Sequence, residues 1–141
     1  MSLYLDASAL VALFTVDAFS ARAAAYLDKH KALLIISDFA AAEFASALGR
    51  RVRTKELSLD EARRAFWVFD QFTARNAAQR VETSAIDMKA VERFLRGLDL
   101  PLRAPDALNI AIAQRIGASL LTFDVKMAAS ARALGLDVPS A

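Results

Sequence analysis

Cysteine is absent from this 141-residue chain, and histidine occurs once. Without thiols there can be no disulfide framework and no thiolate metal site. The single imidazole, His30, falls at the end of a Lys-rich helical stretch and is expected to face solvent, so general-base catalysis by imidazole is not expected. No apolar run approaches the roughly 20 residues needed to span a bilayer. The N-terminus carries no basic stretch ahead of its first apolar segment and does not read as a signal peptide. Net charge is only +2, too little by itself to announce a nucleic-acid binder. Repeats, low-complexity segments and linker-like stretches are also missing. These absences predict a cytoplasmic protein of one domain, residues 1–141, that stays off membranes.

Strand-like and helical patterns alternate along the whole chain. Residues 2–6 and 33–37 are apolar runs of the kind expected for strands buried on both faces. Shorter strands are expected at 80–83 and 119–123, with a fifth at 136–138. Helices are expected near 8–14, 19–30, 38–53, 58–76, 84–97, 106–116 and 124–134. Ser58-Leu59-Asp60-Glu61 has the form of a capping box, Pro105 suits a helix start, and Gly117 and Gly135 suit left-handed helix ends. This pattern predicts an α/β fold, a three-layer α/β/α domain around a mostly parallel sheet of four to five strands.

Four acids stand out against that pattern. Asp6 closes Leu3-Tyr4-Leu5, Glu43 follows the 33–37 run, Asp106 sits on the first turn after Pro105, and Asp124 closes Leu120-Leu121-Thr122-Phe123. In an open parallel sheet, chain just past the carboxyl ends of the strands gathers into one crevice. Carboxylates gathered there repel one another unless a divalent cation neutralises them, which points to metal-dependent phosphoryl transfer. Each acid has a plainer explanation too. Asp6 and Asp124 could be helix N-caps, and Asp106 a first-turn acid favoured by the helix dipole. Glu43 is harder to explain that way, because an acid amid Ala40, Ala41, Ala42, Phe44 and Ala45 is costly to bury unless paired or ligated. Asp38 reads as a helix cap, Asp17 as a loop or cap residue, and Asp60, Glu61 and Asp87 as helix-start acids.

Tyr4-Leu5-Asp6-Ala7-Ser8-Ala9-Leu10 resembles the opening of a PIN domain, the nuclease fold of VapC-type toxins. Ser37 with Glu43, then Arg103-Ala104-Pro105-Asp106-Ala107-Leu108, then Leu121-Thr122-Phe123-Asp124 follow in the same order as in that family. The resemblance implies an endoribonuclease that uses Mg²⁺ or Mn²⁺, forms a homodimer, and is held inactive by a cognate VapB-like antitoxin. It assigns Asp6, Glu43, Asp106 and Asp124 to the metal site, and Ser8 and Thr122 to hydroxyls that hydrogen-bond those carboxylates or a water on the metal. Asn109 departs from the pattern, since many relatives carry His there. Because that His is not a metal ligand in the family, the departure is expected to matter little.

RNA would need cations beside the acids. Arg50, two helical turns after Glu43, and Arg103 are the candidates for holding RNA phosphates, which position a strand without reading its sequence. Phe66, Phe69 and Phe72 should pack inward, while Trp67, with apolar segments near 11–27 and 40–48, could form a groove for a partner helix. Two alternatives compete with the nuclease. A metal-dependent phosphatase with an aspartyl nucleophile would need a second Asp where Ser8 stands. A PIN-fold module that binds RNA or protein without cutting would gain little from gathering four acids.

Overall fold

A computed structural model describes residues 1–141. Its four strands are β1 (Ser2–Leu5), β2 (Leu33–Ser37), β3 (Gln79–Val81) and β4 (Ser119–Leu121). They form one sheet in the order β3-β2-β1-β4, and every pairing is parallel. Seven helices connect and follow them: α1 (Ala7–Phe14), α2 (Ser20–Lys29), α3 (Asp38–Arg53), α4 (Leu59–Ala74), α5 (Ala85–Arg96), α6 (Ala104–Arg115) and α7 (Val125–Ala133). The chain moves outward from β1 through β2 to β3, then returns to place β4 on the other side of β1. The strand order therefore reverses between β1 and β4, the place where open α/β sheets form their binding crevice.

Burial follows the patterning. Leu3, Tyr4 and Leu5 of β1 and Leu120 and Leu121 of β4 are wholly buried, as a strand covered by helices on both faces requires. The helix most enclosed is α6, in which Ala107 through Ala113 are all buried. On the opposite side Phe14, Phe44 and Phe69 pack edge-on or tilted with centroids 5.1–6.0 Å apart. Phe66 and Phe72 join this cluster at its margin. Gly117 and Gly135 end α6 and α7 with φ of +68° and +85°, a conformation that would strain a side chain with a Cβ. No helix is long and apolar enough to cross a membrane.

Several sequence expectations need correction. The fifth strand does not form; residues 136–138 touch the sheet through one backbone bond, Leu120 N to Asp137 O at 2.9 Å. Helix α6 begins at Ala104, two residues early, because Arg103 is the extended residue before it and Pro105 fits within its first two positions. Asp38 is not the cap of α3. Ser37 takes that role, accepting from Ala40 N at 2.9 Å. Asp38 instead accepts from Thr83 N and Thr83 Oγ1, at 3.0 and 2.6 Å, and so ties the start of α3 to the chain after β3. His30 is half-buried, not free in solvent. It stacks on Tyr26 at 4.2 Å, and its Nδ1 lies 3.0 Å from the Tyr26 carbonyl.

Candidate active site

Four helices bring polar groups to the crevice at the carboxyl edge of the sheet. Asp6 is the N-cap of α1, Ser37 of α3 and Asp124 of α7. Asp106 lies in the first turn of α6, which has no side-chain cap of its own. The positive ends of four helices thus border one place, and such ends favour negative charge.

Asp6 is the most enclosed of the four acids, at 4% exposure. Its Oδ1 accepts from Ala9 N at 2.9 Å and Ser8 Oγ at 2.7 Å, and its Oδ2 from Thr122 Oγ1 at 2.6 Å. The same hydroxyls accept from the backbone of the next loop, Ser8 Oγ from Phe123 N at 2.9 Å and Thr122 Oγ1 from Asp124 N at 3.1 Å. The chain after β4 is therefore wrapped around Asp6. Oδ1 takes two of these hydrogen bonds and Oδ2 only one, which fixes the carboxylate while leaving Oδ2 acceptor capacity to spare.

The other three acids meet in a cleft of about 870 Å³, where Glu43, Asp106 and Asp124 are lined up with Arg50, Arg103 and Lys126. Glu43 and Asp106 are half-buried and Asp124 is exposed. Glu43 Oε1 accepts from Asn109 Nδ2 at 2.7 Å, and Asp124 Oδ1 from Met127 N at 3.1 Å. Lys126 has no counterpart among the sequence expectations. Its only advance signal was its place in the first turn after Asp124.

None of the four acids has an ion-pair partner, whereas Asp17 is paired with Arg51 and Asp87 with Arg115. The consequence appears in their proton affinities. Burial raises the Asp6 carboxyl above its ordinary range, against hydrogen bonds from Thr122, Ser8 and Ala9, with the Asp124 charge adding to the rise. Burial also raises Glu43, aided by Asp6 and Asp106 and opposed by the Asn109 amide. Asp106 is raised by burial and by Asp124, against a backbone hydrogen bond and the Arg103 charge. The acids therefore sense one another as like charges.

As the side chains stand, no three Asp, Glu, His or Cys groups form a ready metal cage. In kind, the donor set fits a hard divalent cation, because every candidate ligand is a carboxylate oxygen and none is already neutralised.

A cleft of about 330 Å³ lies between the end of α1 and α4, lined by Leu13, Phe14, Val16, Leu57, Ala65 and Val68 among others. Val16 is 95% exposed at its rim. Trp67 is exposed but lies outside this lining, and Ala40, Phe44 and Leu48 of α3 are buried in the core.

Comparison with known proteins adds a family. The model of the PIN domain matches residues 3–133. No curated protein matches the chain significantly. Among solved structures, VapC20 of Mycobacterium tuberculosis, described as a sarcin–ricin loop cleaving toxin, superposes with a TM-score of 0.73 at 20% identity, over 96% of each chain. VapBC2 from Rickettsia felis, bound to a DNA fragment from its promoter, gives a TM-score of 0.68 at 19% identity, over 99% of this chain and 98% of that one. A toxin–antitoxin complex from Klebsiella pneumoniae gives 0.60 at 20% identity, over 89% and 88%.

Proposed function

Because the chain belongs to the PIN-domain family, we propose that it is a metal-dependent endoribonuclease, the toxin of a VapBC-type toxin–antitoxin pair. The observation that carries this reading is the cleft that gathers three carboxylates without counter-ions beside three cations, with Asp6 braced beneath the chain after β4. Asp6, Glu43, Asp106 and Asp124 would hold Mg²⁺ or Mn²⁺. Once bound, such a cation would polarise the scissile phosphate and acidify the attacking water.

The residues of the chain supply the rest. Ser8 and Thr122 keep Asp6 in one orientation through hydrogen bonds of 2.7 and 2.6 Å. Arg50, Arg103 and Lys126 would hold the phosphates that flank the cut, placing the RNA without choosing its sequence. No protein nucleophile is required, and the products would be a 5′ phosphate and a 3′ hydroxyl. A VapB-like antitoxin would occupy the apolar cleft beside α4 and block the acids. Structures of the same fold described as a toxin–antitoxin complex and as a sarcin–ricin loop cleaving toxin support this assignment. The proposed working form is a homodimer, which sedimentation of the purified chain would test.

The enclosure of Asp6, whose two oxygens are both held by protein donors, favours a second reading, a PIN-fold module that binds RNA or protein without cutting. One experiment distinguishes them. Wild type and Asp6→Asn are incubated with structured and single-stranded RNAs in Mg²⁺, in Mn²⁺ and in EDTA, and Mn²⁺ is titrated by calorimetry in parallel. The nuclease reading requires saturable Mn²⁺ binding and metal-dependent cleavage that Asp6→Asn abolishes. RNA binding without Mn²⁺ uptake or cleavage would establish the module instead.

A further inference from the structure

Asn109 is the sole polar side chain among the seven consecutive buried residues of α6, at 2% exposure. A buried amide is costly unless its donors and acceptor are matched. Here they are, and the partners fix which way the amide faces. On one side it meets the Pro105 carbonyl at 3.1 Å and Glu43 Oε1 at 2.7 Å. A carbonyl can only accept, so the NH₂ group must lie on that side. Asn109 Oδ1 is then turned toward Tyr4 Oη at 2.6 Å, and the tyrosine must donate. Having given its only proton to Asn109, Tyr4 must accept from Ser37 Oγ, also 2.6 Å away. Ser37 in turn accepts from Ala40 N. One backbone carbonyl thus sets the direction of the whole row. It starts on α3, crosses β1 and α6, and returns to α3 at Glu43.

The row makes the only hydrogen bond to the Glu43 carboxylate, and it uses Oε1. We propose that Asn109 is a positioning residue for metal binding: oriented by Pro105 and Tyr4, it clamps Glu43 Oε1 and leaves Oε2 as the oxygen offered to a divalent cation. The inference rests on the nuclease reading above and adds to it a residue that no resemblance marked as functional. An amide is suited to the task because its two N–H groups can hold the carboxylate and the α6 carbonyl together.

The test is a double-mutant cycle read by Mn²⁺ calorimetry on the full chain, with wild type, Asn109→Leu, Glu43→Gln and the double variant. Loss of a residue that orients a metal ligand typically weakens metal binding about 10–100-fold, and Asn109→Leu is expected in that range. Because Asn109 acts through Glu43, the double variant should bind Mn²⁺ within about threefold of Glu43→Gln alone. Tyr4→Phe, which leaves Asn109 Oδ1 without its partner and so loosens the amide, should weaken binding in the same direction by less. It replaces Asn109→Leu in the cycle if the leucine variant does not fold. Wild-type affinity in both Asn109→Leu and Tyr4→Phe, or independent losses in the double variant, would overturn the proposal alone. A folded wild type that takes up no Mn²⁺ would overturn the nuclease reading together with it.

Discussion

Asp87 and Asp6 are both buried, at 1% and 4% exposure, and both sit at helix starts. Their surroundings differ in one respect. Asp87 faces a guanidinium: Arg115 Nε lies 2.7 Å from Oδ1 and Nη2 3.0 Å from Oδ2, while Ser84 N donates to Oδ2 at 2.8 Å. The same Arg115 reaches the Glu82 carbonyl at 2.8 Å, so the pair fastens α6 to the chain after β3. Asp6 faces two hydroxyls, one amide and the field of another acid. A carboxylate with a bidentate cation has its charge compensated within the fold. A carboxylate held only by neutral donors, near other acids, keeps a charge that something else must compensate. That contrast separates a structural acid from an acid kept ready for a ligand.

The largest expected effects follow from exchanging the two cases. Asp6→Asn should reduce RNA cleavage by at least about 10²–10³-fold, the scale for losing one essential charged contact in a transition state. It should leave the metal-free fold as stable as wild type or more so, because a buried charge without a counter-ion has been removed. Asp87→Ala should do the reverse. Leaving Arg115 without its partner is expected to lower stability by about 3 kcal/mol, the low end for a broken buried pair because Arg115 itself reaches solvent. Cleavage per folded molecule should be unchanged. Urea denaturation and cleavage assays on the two variants decide the matter. Equal destabilisation by both, or loss of activity in folded Asp87→Ala, would erase the distinction.

Acidity sharpens the same comparison at a smaller scale. Burial and mutual repulsion raise Asp6, Glu43 and Asp106 in the folded protein. The folded state then binds protons more tightly than the unfolded chain. The stability these groups contribute is full below their ordinary values near pH 4 and is lost as pH rises through their folded values. The advantage of metal-free Asp6→Asn over wild type should therefore widen from pH 4 to pH 7, and saturating Mn²⁺ should close it at pH 7. Asp38 has the opposite sign. Hydrogen bonds from Thr83 lower its pKa, so its contribution is present above the ordinary range and lost as pH falls through its folded value. Urea midpoints from well below pH 4, where the Asp38 contribution is lost, up to pH 7, with and without Mn²⁺, measure both trends.

Much of the fold could be read from local pattern, because strand runs, capping boxes and helix-ending glycines act within a few residues. Ser58 with Glu61 and Ser84 with Asp87 form the boxes their spacing suggests. Where the pattern failed, the cause was contact between distant segments. Asp38 lost its capping role to Ser37 because Thr83, 45 residues on, engages its carboxylate. Residues 136–138 had strand-like composition but found only one backbone partner on β4. Asp6, Asp106 and Asp124 could be singled out by their places at the ends of elements and Glu43 by its apolar neighbours inside α3, while Ser8 and Thr122 came only from the family resemblance. The Asn109 clamp on Glu43 joins residues 66 apart, and the Asp87–Arg115 pair residues 28 apart, and neither spacing leaves a periodic trace. Asn109 read as a harmless departure because its meaning lies in Tyr4, Ser37 and Glu43 together.

The cations repeat the comparison drawn for the acids, and here the expected effects are smallest. Arg51 is committed to the fold: its Nη2 lies 3.4 Å from Asp17, whose Oδ1 accepts from Phe19 N at 2.8 Å. Arg50, its neighbour in sequence, is exposed and lines the acidic cleft with Arg103, neither having an acidic partner. A cation without a partner can release counter-ions when it meets a phosphate, whereas one already paired gains less. In an inactive Asp6→Asn background, Arg50→Ala and Arg103→Ala should each weaken RNA binding a few-fold. Each should also reduce the slope of log affinity against log salt by about 0.7, the value for one contact to a single strand. Arg51→Ala should leave that slope unchanged while lowering stability by less than about 1 kcal/mol, as expected for a partly exposed pair. Anisotropy of a labelled RNA titrated at several KCl concentrations reads all three variants. A slope change in Arg51→Ala equal to that in Arg50→Ala would mean that RNA follows the overall basic surface and not the line of unpaired cations beside the acids.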